Sequence, residues 1–365
     1  MSLIFLLDPL SSEPLLQEVL GQPAASMRPV VLEDVGTGNA SDALAMPQID
    51  AQSSATALAI EVEDPAAFDR LSFFAAVLGA HPVPKHGHMD GHRVSGVLFV
   101  DDTADGPGNL TAAPSHLALL AAREIMGYHG RRPAADVTHR LPMIFARAAA
   151  TLAAKTTPTP TIRSQATQDD VIVHASDATH EGFFLTRTYD LQHPRFDGST
   201  SARLSREVFV ATDAVIVLPY DPVRDRVLLV EQFRMGPFAR GDTYPWVLEP
   251  VAGRVDAGET VEEAARRECE EEAGLTLRHL EHVSSHYFSP GASTEYYHCY
   301  VALSDLPDGV AGQGGLDAEH EDIRTHVLSF DAVQDLLTSG EANIGPLILL
   351  LLWLERERPR LRASA

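Results

Sequence analysis

The sequence predicts an α/β protein of two domains, the second built on a mixed sheet with helices on its faces. Three observations carry this. The chain has 365 residues with 45% hydrophobic content, which is long for one core and comfortable for two. A Pro/Thr-rich segment, Thr156 to Thr167 (TTPTPTIRSQAT), interrupts all periodicity and marks a boundary. Beyond it, short β-patterned runs alternate with helical ones. We therefore expect a domain over 1–155, a linker over 156–167 and a second domain over 168–365.

In the first domain LIFLL (3–7) reads as a buried strand and Ser12 to Leu20 as a short helix with Pro14 in its first turn. A turn-rich, alternating section follows to about Val62. Asp64 then caps a helix that starts at Pro65 and turns Phe68 and Leu71 inward. His81, His86, His88 and His92 lie in HPVPKHGHMDGH. Their spacing fits no standard zinc pattern and no cysteine assists, so we read this stretch as a mobile polar loop. Arg93 to Val100 is strand-like, and Pro114 to about Ala154 is helical in two segments split by Gly127 to Pro133.

Residues Phe5-Leu6-Leu7-Asp8-Pro9-Leu10, Pro14-Leu15-Leu16, Val19-Leu20-Gly21 and Asp69-Arg70-Leu71-Ser72-Phe73-Phe74 resemble the gamma-glutamylcyclotransferase-like (AIG2-like) family. The resemblance implies a small mixed α/β barrel over roughly 1–105, followed by a helical extension. Where that family has a Tyr-Gly-Ser/Thr-Leu loop this chain has Leu7-Asp8-Pro9-Leu10, and where it has a catalytic glutamate this chain has Ala75. We expect a domain without cyclotransferase activity.

After the linker, Val171 to Ala175 and Phe183 to Leu191 alternate like strands, and Val208 to Val210 and Ala214 to Leu218 read as buried strands. Tyr220 to Asp225 is a hairpin turn, with Val227 to Glu231 returning. A single strand, Val247 to Ala252, feeds the segment GRVDAGETVEEAARRECEEEAGL (253–275). Strands near 282–288, 295–302 and 326–329 follow, then two closing helices. The apolar run Pro346 to Leu354 is about half a membrane span and reads as a core or dimer-contact helix.

Segment 253–275 carries the chemistry. Thr260 and Glu263 form a capping-box pattern and Gly274 marks the helix stop. At roughly 100° per residue, Val261, Ala264 and Ala265 form an apolar stripe. Glu268 and Glu272, one turn apart, continue it with Glu271 beside them. Carboxylates crowded on an inward stripe repel one another unless a cation compensates, and hard oxygen ligands suit Mg2+ or Mn2+. Taken as a helix alone, the stretch is equally a surface laced with salt bridges such as Arg267 with Glu271.

The spacing Gly253, Glu259, Arg267-Glu268, Glu271-Glu272 and Gly274-Leu275 resembles the Nudix box, with Cys269 at a usually aliphatic position. The resemblance implies an α/β/α Nudix sandwich and hydrolysis of a nucleoside diphosphate linked to another group, with Arg267, Glu268, Glu271 and Glu272 in the working set. Within the family, Glu231 to Arg234, Trp246 to Glu249, Ser289-Pro290-Gly291 with Glu295, and Glu319 to Arg324 resemble bacterial ADP-ribose pyrophosphatases. That resemblance implies divalent ions on Glu268, Glu272, Glu321 and the carbonyl of Ala252. It implies Glu319 as general base with Glu271 as rival, and substrate contacts from Arg206, Arg234, Glu249 and Glu295. It also implies a homodimer in which an aromatic residue of the early strands stacks on the base. We match that position to Leu191, with Tyr189 or Phe196 as substitutes.

The formal charge of -23 argues against nucleic-acid and anionic-membrane partners. Cys269 and Cys299 make no disulfide framework, and the N-terminus lacks a basic n-region, so the expected location is the cytoplasm. The leading expectation is Mg2+-dependent hydrolysis of ADP-ribose to AMP and ribose 5-phosphate. Its rivals are a GDP-mannose or broad nucleotide-sugar diphosphatase and, from another class, a ligand-sensing or scaffold protein. The two-domain arrangement resembles Nudix proteins associated with tellurite resistance.

Overall fold

The structure, a computed structural model, describes residues 2–35, 46, 54–101, 115–156, 159–315 and 321–365. The described residues form two compact units, one within 1–158 together with 256–258 and the other within 159–255 and 259–365.

The first unit runs β1 (Ser2–Leu6), α1 (Glu13–Leu20), β2 (Arg28–Glu33), β3 (Ser54–Val62), α2 (Pro65–Val77), β4 (His81–Met89), β5 (His92–Val100), α3 (Ser115–Gly127), α4 (Ala134–Thr138) and α5 (Leu141–Ala153). Its strands close into a barrel in the order β1-β3-β2-β4-β5, sealed by parallel pairing of Ile4 with Val97 and Phe5 with Leu98. Alternation along β1 explains the two cores. Phe5 joins Leu32, Ala57 and Leu98 inside the barrel, while Ile4 and Leu6 pack with Leu16, Leu71 and Phe74 of the helices. Ala75 is fully buried in α2, so the position of the family's acid is core here.

The polar loop expected over His81 to His92 is instead the hairpin β4–β5, paired from His81–Val100 to Met89–His92. Asp90 and Gly91 both take positive φ, 52° and 78°, which is the two-residue turn that Asp-Gly favours. Polarity misled the reading because one side of these strands faces water.

The second unit runs β6 (Ile172–Glu181), β7 (Leu185–Gln192), β8 (Leu204–Val210), β9 (Asp213–Asp221), β10 (Arg226–Phe233), α6 (Met235–Arg240), β11 (Trp246–Glu249), β12 (Val251–Arg254), α7 (Val261–Ala273), β13 (His279–Tyr287), β14 (Tyr296–Leu303), β15 (Gln313–Gly314), β16 (Ile323–Ser329), α8 (Phe330–Ser339) and α9 (Gly345–Ala363). Its main sheet has the order β13-β14-β9-β10-β16-β15, with β11 on β10 and β12 on β9. β14 runs parallel to β9 and the other pairs are antiparallel. On one face Ala264, Ala265 and Cys269 of α7 pack on Val215, Val217 and Val251. On the other, Leu347, Leu350, Leu351 and Leu354 of α9 cover Ile216, Leu218 and Leu229. This is an α/β/α sandwich.

Two expectations need correction. Val247 to Ala252 is two strands, split at Pro250, whose halves pair with different neighbours; proline supplies no ladder N–H and permits the switch. Val208 to Val210 are only half-buried, because β8 belongs to a separate three-stranded sheet, β6-β7-β8, with much of its surface open. Among the described residues no helix is long and apolar enough to cross a membrane.

Candidate active site

The site is built on α7. Glu263 accepts the Thr260 amide at 2.7 Å and the Thr260 hydroxyl accepts the Glu263 amide at 3.2 Å, so the capping box forms and fixes the helix start. Gly274 ends the helix at φ 63°. Burying Ala264, Ala265, Cys269 and Ala273 against the sheet turns the next positions of that stripe inward as well. Glu272 is therefore only 2% exposed.

Arg267 does bridge Glu271, at 3.1 Å, but it is a hub rather than a surface pair. It also holds Glu259 at 2.8 Å, Glu268 at 2.7 Å and the carbonyl of Arg254 at 3.0 Å. These bonds tie the 254–259 loop to the helix and raise the guanidinium's affinity for its proton, chiefly through Glu259.

Glu272 accepts the Ala252 amide at 3.3 Å, which sets α7 against β12. Burial pushes its carboxyl up to about 8; the Ala252 amide opposes this, and the charges of Glu268 and Glu321 add to it. Burial also raises Glu268, opposed by Arg267 and reinforced by Glu271 and Glu321. Three acids from α7 and the segment before β16 thus feel one another's charge in a poorly hydrated place. Among the described residues no three acidic, histidine or cysteine side chains already converge as ligands. Glu268 turns to Arg267 and Glu272 to a backbone amide. Hard oxygens that are buried, mutually repelling and poorly compensated fit a divalent cation.

Glycine permits two close approaches. A Cβ on Gly253 would lie 1.9 Å from the Glu268 carboxylate, so the strand can pass beneath that acid only as glycine. A Cβ on Gly314 would lie 1.8 Å from the carbonyl oxygen of Glu272, and the neighbouring Gly315 amide donates to the Glu271 carbonyl at 3.2 Å. β15 is thereby seated on the C-terminal end of α7.

A second group stands nearby in charge terms. Arg234, the N-cap residue of α6, binds Glu249 at 2.7 Å. Its charge also reaches Glu272, Glu295 and Tyr297. Burial raises Glu249 and Glu295, while Arg234 opposes the first and a Tyr297 hydrogen bond opposes the second. Glu268, Glu272 and Glu321 thus feel one another's charge, and Arg234 binds Glu249 while its charge reaches Glu295. Arg206 is apart from both sets, exposed on β8 with its guanidinium on the Ser205 carbonyl at 2.9 Å. Glu319 lies outside the described residues.

The sequence reading includes Glu259 in the 253–275 spacing but does not single out Gly314 or Phe183. Phe183 sits in a Gly-Phe-Phe turn between β6 and β7 and is 81% exposed, a signal available in the early strands beside Leu191. Gly314 acts through a contact remote in sequence and left no local mark.

The chain is similar to proteins of known kind. A NUDIX domain model matches residues 210–350. An ADP-ribose pyrophosphatase of Escherichia coli (strain K12) is 37% identical over 195 residues, covering 53% of this chain and 92% of the relative. One of Haemophilus influenzae is 34% identical over 199 residues, covering 54% and 91%. A GDP-mannose pyrophosphatase of Escherichia coli O1:K1 / APEC is 32% identical over 168 residues, covering 46% and 85%.

Proposed function

This chain belongs to the Nudix hydrolase family, and from that premise we propose that it hydrolyses the diphosphate of ADP-ribose to AMP and ribose 5-phosphate. The observation that carries the reading is the buried acid stripe Glu268–Glu272 beside Ala252, in a chain 37% identical to an ADP-ribose pyrophosphatase across nearly all of that relative. The GDP-mannose relative matches over less of its length and at lower identity, which ranks that substrate second.

Nudix hydrolysis uses a divalent metal, and we take it to be Mg2+ with Mn2+ as the alternative. Glu268, Glu272, Glu321 and the Ala252 carbonyl would hold it. Bound there, the ion supplies charge neutralisation of the diphosphate and a more acidic attacking water. The protein's own groups do the rest. Arg267 keeps the helix acids and the 254–259 loop in place. We assign the general base to Glu319; the rival Glu271 already accepts from Arg267, which leaves it less free to take a proton. Arg234, steadied by Glu249, can pair with phosphate or stack on a base.

We also infer a homodimer. Phe183 and Phe184, in the turn between β6 and β7, are exposed, as are Ile172 and Val173 at the other end of β6, and a second copy would cover such apolar side chains. Phe183 then offers the stacking ring that Leu191 lacks, worth roughly 1–3 kcal/mol per base, and Arg206 on the same sheet could join a neighbouring site.

The test is a panel of nucleoside diphosphate derivatives assayed with Mg2+. ADP-ribose should be turned over at least about tenfold more efficiently than GDP-mannose. Faster GDP-mannose hydrolysis would make this a nucleotide-sugar diphosphatase, and no turnover of any member would favour the sensor reading.

A further inference from the structure

We propose that Glu231 is a positioning residue of the cation site, holding the start of β16 from the far face of the sheet so that Glu321 stays against α7. The inference rests on the diphosphatase reading above and deepens it.

Strand alternation puts Glu231 on the face away from α7. Leu229 and Val227, before it on β10, pack in the core under α9, while Leu228 and Val230 pack in the core under α7. On β16, Ile323 belongs to the α7 core and Leu328 packs on the α9 core, so Arg324 and His326 share the face of Glu231. Glu231 stands opposite Arg324 in the β10–β16 register. One of its carboxylate oxygens accepts His326 Nε2 at 2.8 Å and lies 3.6 Å from Arg324 Nη1. A single acid thus grips two alternate residues of the neighbouring strand.

The grip comes where the strand needs it. Glu231–Arg324 is the last pair of the β10–β16 ladder, and on the outer side β15 adds only Gln313–Arg324 and Gly314–Ile323. The Thr325 amide continues that side to the Gly312 carbonyl at 2.9 Å. Glu321 lies just before these last pairs. It passes close over Gly315, where a Cβ would stand 2.8 Å from that of Glu321, and Gly315 is bonded to α7. Its charge is repelled by those of Glu268 and Glu272. An acid beyond the end of a ladder, pushed outward by two others, keeps its place only as well as the last pair holds. Glu231 holds that pair without facing the site, so it acts through β16.

The test compares the full chain with Glu231→Ala, Glu231→Gln, His326→Ala and the double variant Glu231→Ala/His326→Ala. Hydrogen–deuterium exchange of the metal-free protein reads how firmly β16 is held. Calorimetry with Mg2+ and steady-state turnover of ADP-ribose read the consequence. Glu231→Ala should speed exchange of the 321–326 amides about fivefold with the rest of the second unit unchanged, the scale of one partly exposed ion pair lost. Mg2+ binding should weaken about fivefold and kcat should fall by a similar factor, with KM changed less than about twofold. Glu231→Gln still accepts from His326 and should fall between the parent and Glu231→Ala. The double variant should add less than about twofold to Glu231→Ala, because the two residues act as one grip. Unchanged exchange and Mg2+ affinity would overturn the role of Glu231, and so would faster exchange spread evenly over the second unit. If Glu231→Ala does not fold, His326→Ala carries the same reading, and unchanged exchange there overturns the role. A parent chain that binds Mg2+ yet turns over no nucleoside diphosphate would overturn the diphosphatase reading, while exchange and Mg2+ affinity still judge Glu231.

Discussion

Glu268 and Glu272 are one helical turn apart, yet the fold treats them differently. Glu272 is anchored to the Ala252 amide, whereas Glu268 turns to Arg267 and rests above Gly253. Glu268→Gln should weaken Mg2+ binding and lower turnover together, measurable by calorimetry and steady-state kinetics on one preparation. Glu319→Gln should leave Mg2+ and ADP-ribose binding nearly intact while cutting kcat by roughly 10²–10⁴, the scale of a lost general base. If Glu271→Gln is the change that costs thousands, and Glu319→Gln less than about tenfold, the helix holds the base. Gly253→Ala asks whether the strand's closeness matters. A methyl group 1.9 Å from the Glu268 carboxylate must displace it, so cation affinity should fall while far-UV circular dichroism stays unchanged.

At the level of the element, α7 is stabilised locally at both ends, and its acids depend on that rigidity. Thr260→Ala removes the cap hydroxyl and one arm of the capping box. The cost should be about 1 kcal/mol in a denaturant titration, with kcat little altered because the sheet-facing side remains packed. Gly314→Ala should do the reverse. Its methyl would press on the Glu272 carbonyl, so β15 must lift and release the Gly315–Glu271 bond at 3.2 Å. Turnover should fall at least about tenfold with the unfolding midpoint nearly constant, since β15 is a two-residue strand at the sheet edge. Unchanged kinetics would show that this docking does not serve the site.

At the scale of the whole molecule, long-range ion pairs join the β9–β10 turn of the second unit to its last helix. Asp225 sits in the β9–β10 turn at φ 59°, accepts from Arg358 at 2.8 Å and Arg362 at 2.6 Å, and receives the Tyr220 hydroxyl at 2.8 Å. Its carboxyl lies below the usual range, first because Arg358 donates to it, and Tyr220 adds to this. A carboxyl depressed by folding contributes stability above its unfolded pKa and loses it as pH falls through the folded value. Asp225→Asn keeps a side chain that tolerates positive φ and removes the charge. It should destabilise by about 1.5–3 kcal/mol at pH 7, and the difference should shrink as pH drops below about 4. The two cores of the second unit lie wholly within residues 215–361. A fragment over 168–365 should therefore fold and hydrolyse substrate alone, while the first unit releases no 5-oxoproline from a gamma-glutamyl peptide.

Local periodicity and backbone chemistry determined much of this protein before folding is considered. The capping box at Thr260, the glycine stop at Gly274 and the inward pair Glu268–Glu272 depend only on residues within one helix, so they were legible and the structure has them. Asp64 before Pro65 belongs to the same class, capping α2 with its carboxylate on the Ala66 amide at 2.9 Å. Tertiary structure decided the rest. Val247 to Ala252 reads as one strand, because nothing in six residues says that the halves find partners in β10 and β9. HPVPKHGHMDGH reads as a loop, because half its residues face water, and only pairing with β5 and β2 makes it a barrel wall. Gly314 carried no local signal at all, and it matters through one atom brought beside it, the carbonyl oxygen of Glu272. Such contacts come from sheet order and helix placement, and a linear pattern does not encode which distant atom will be within reach.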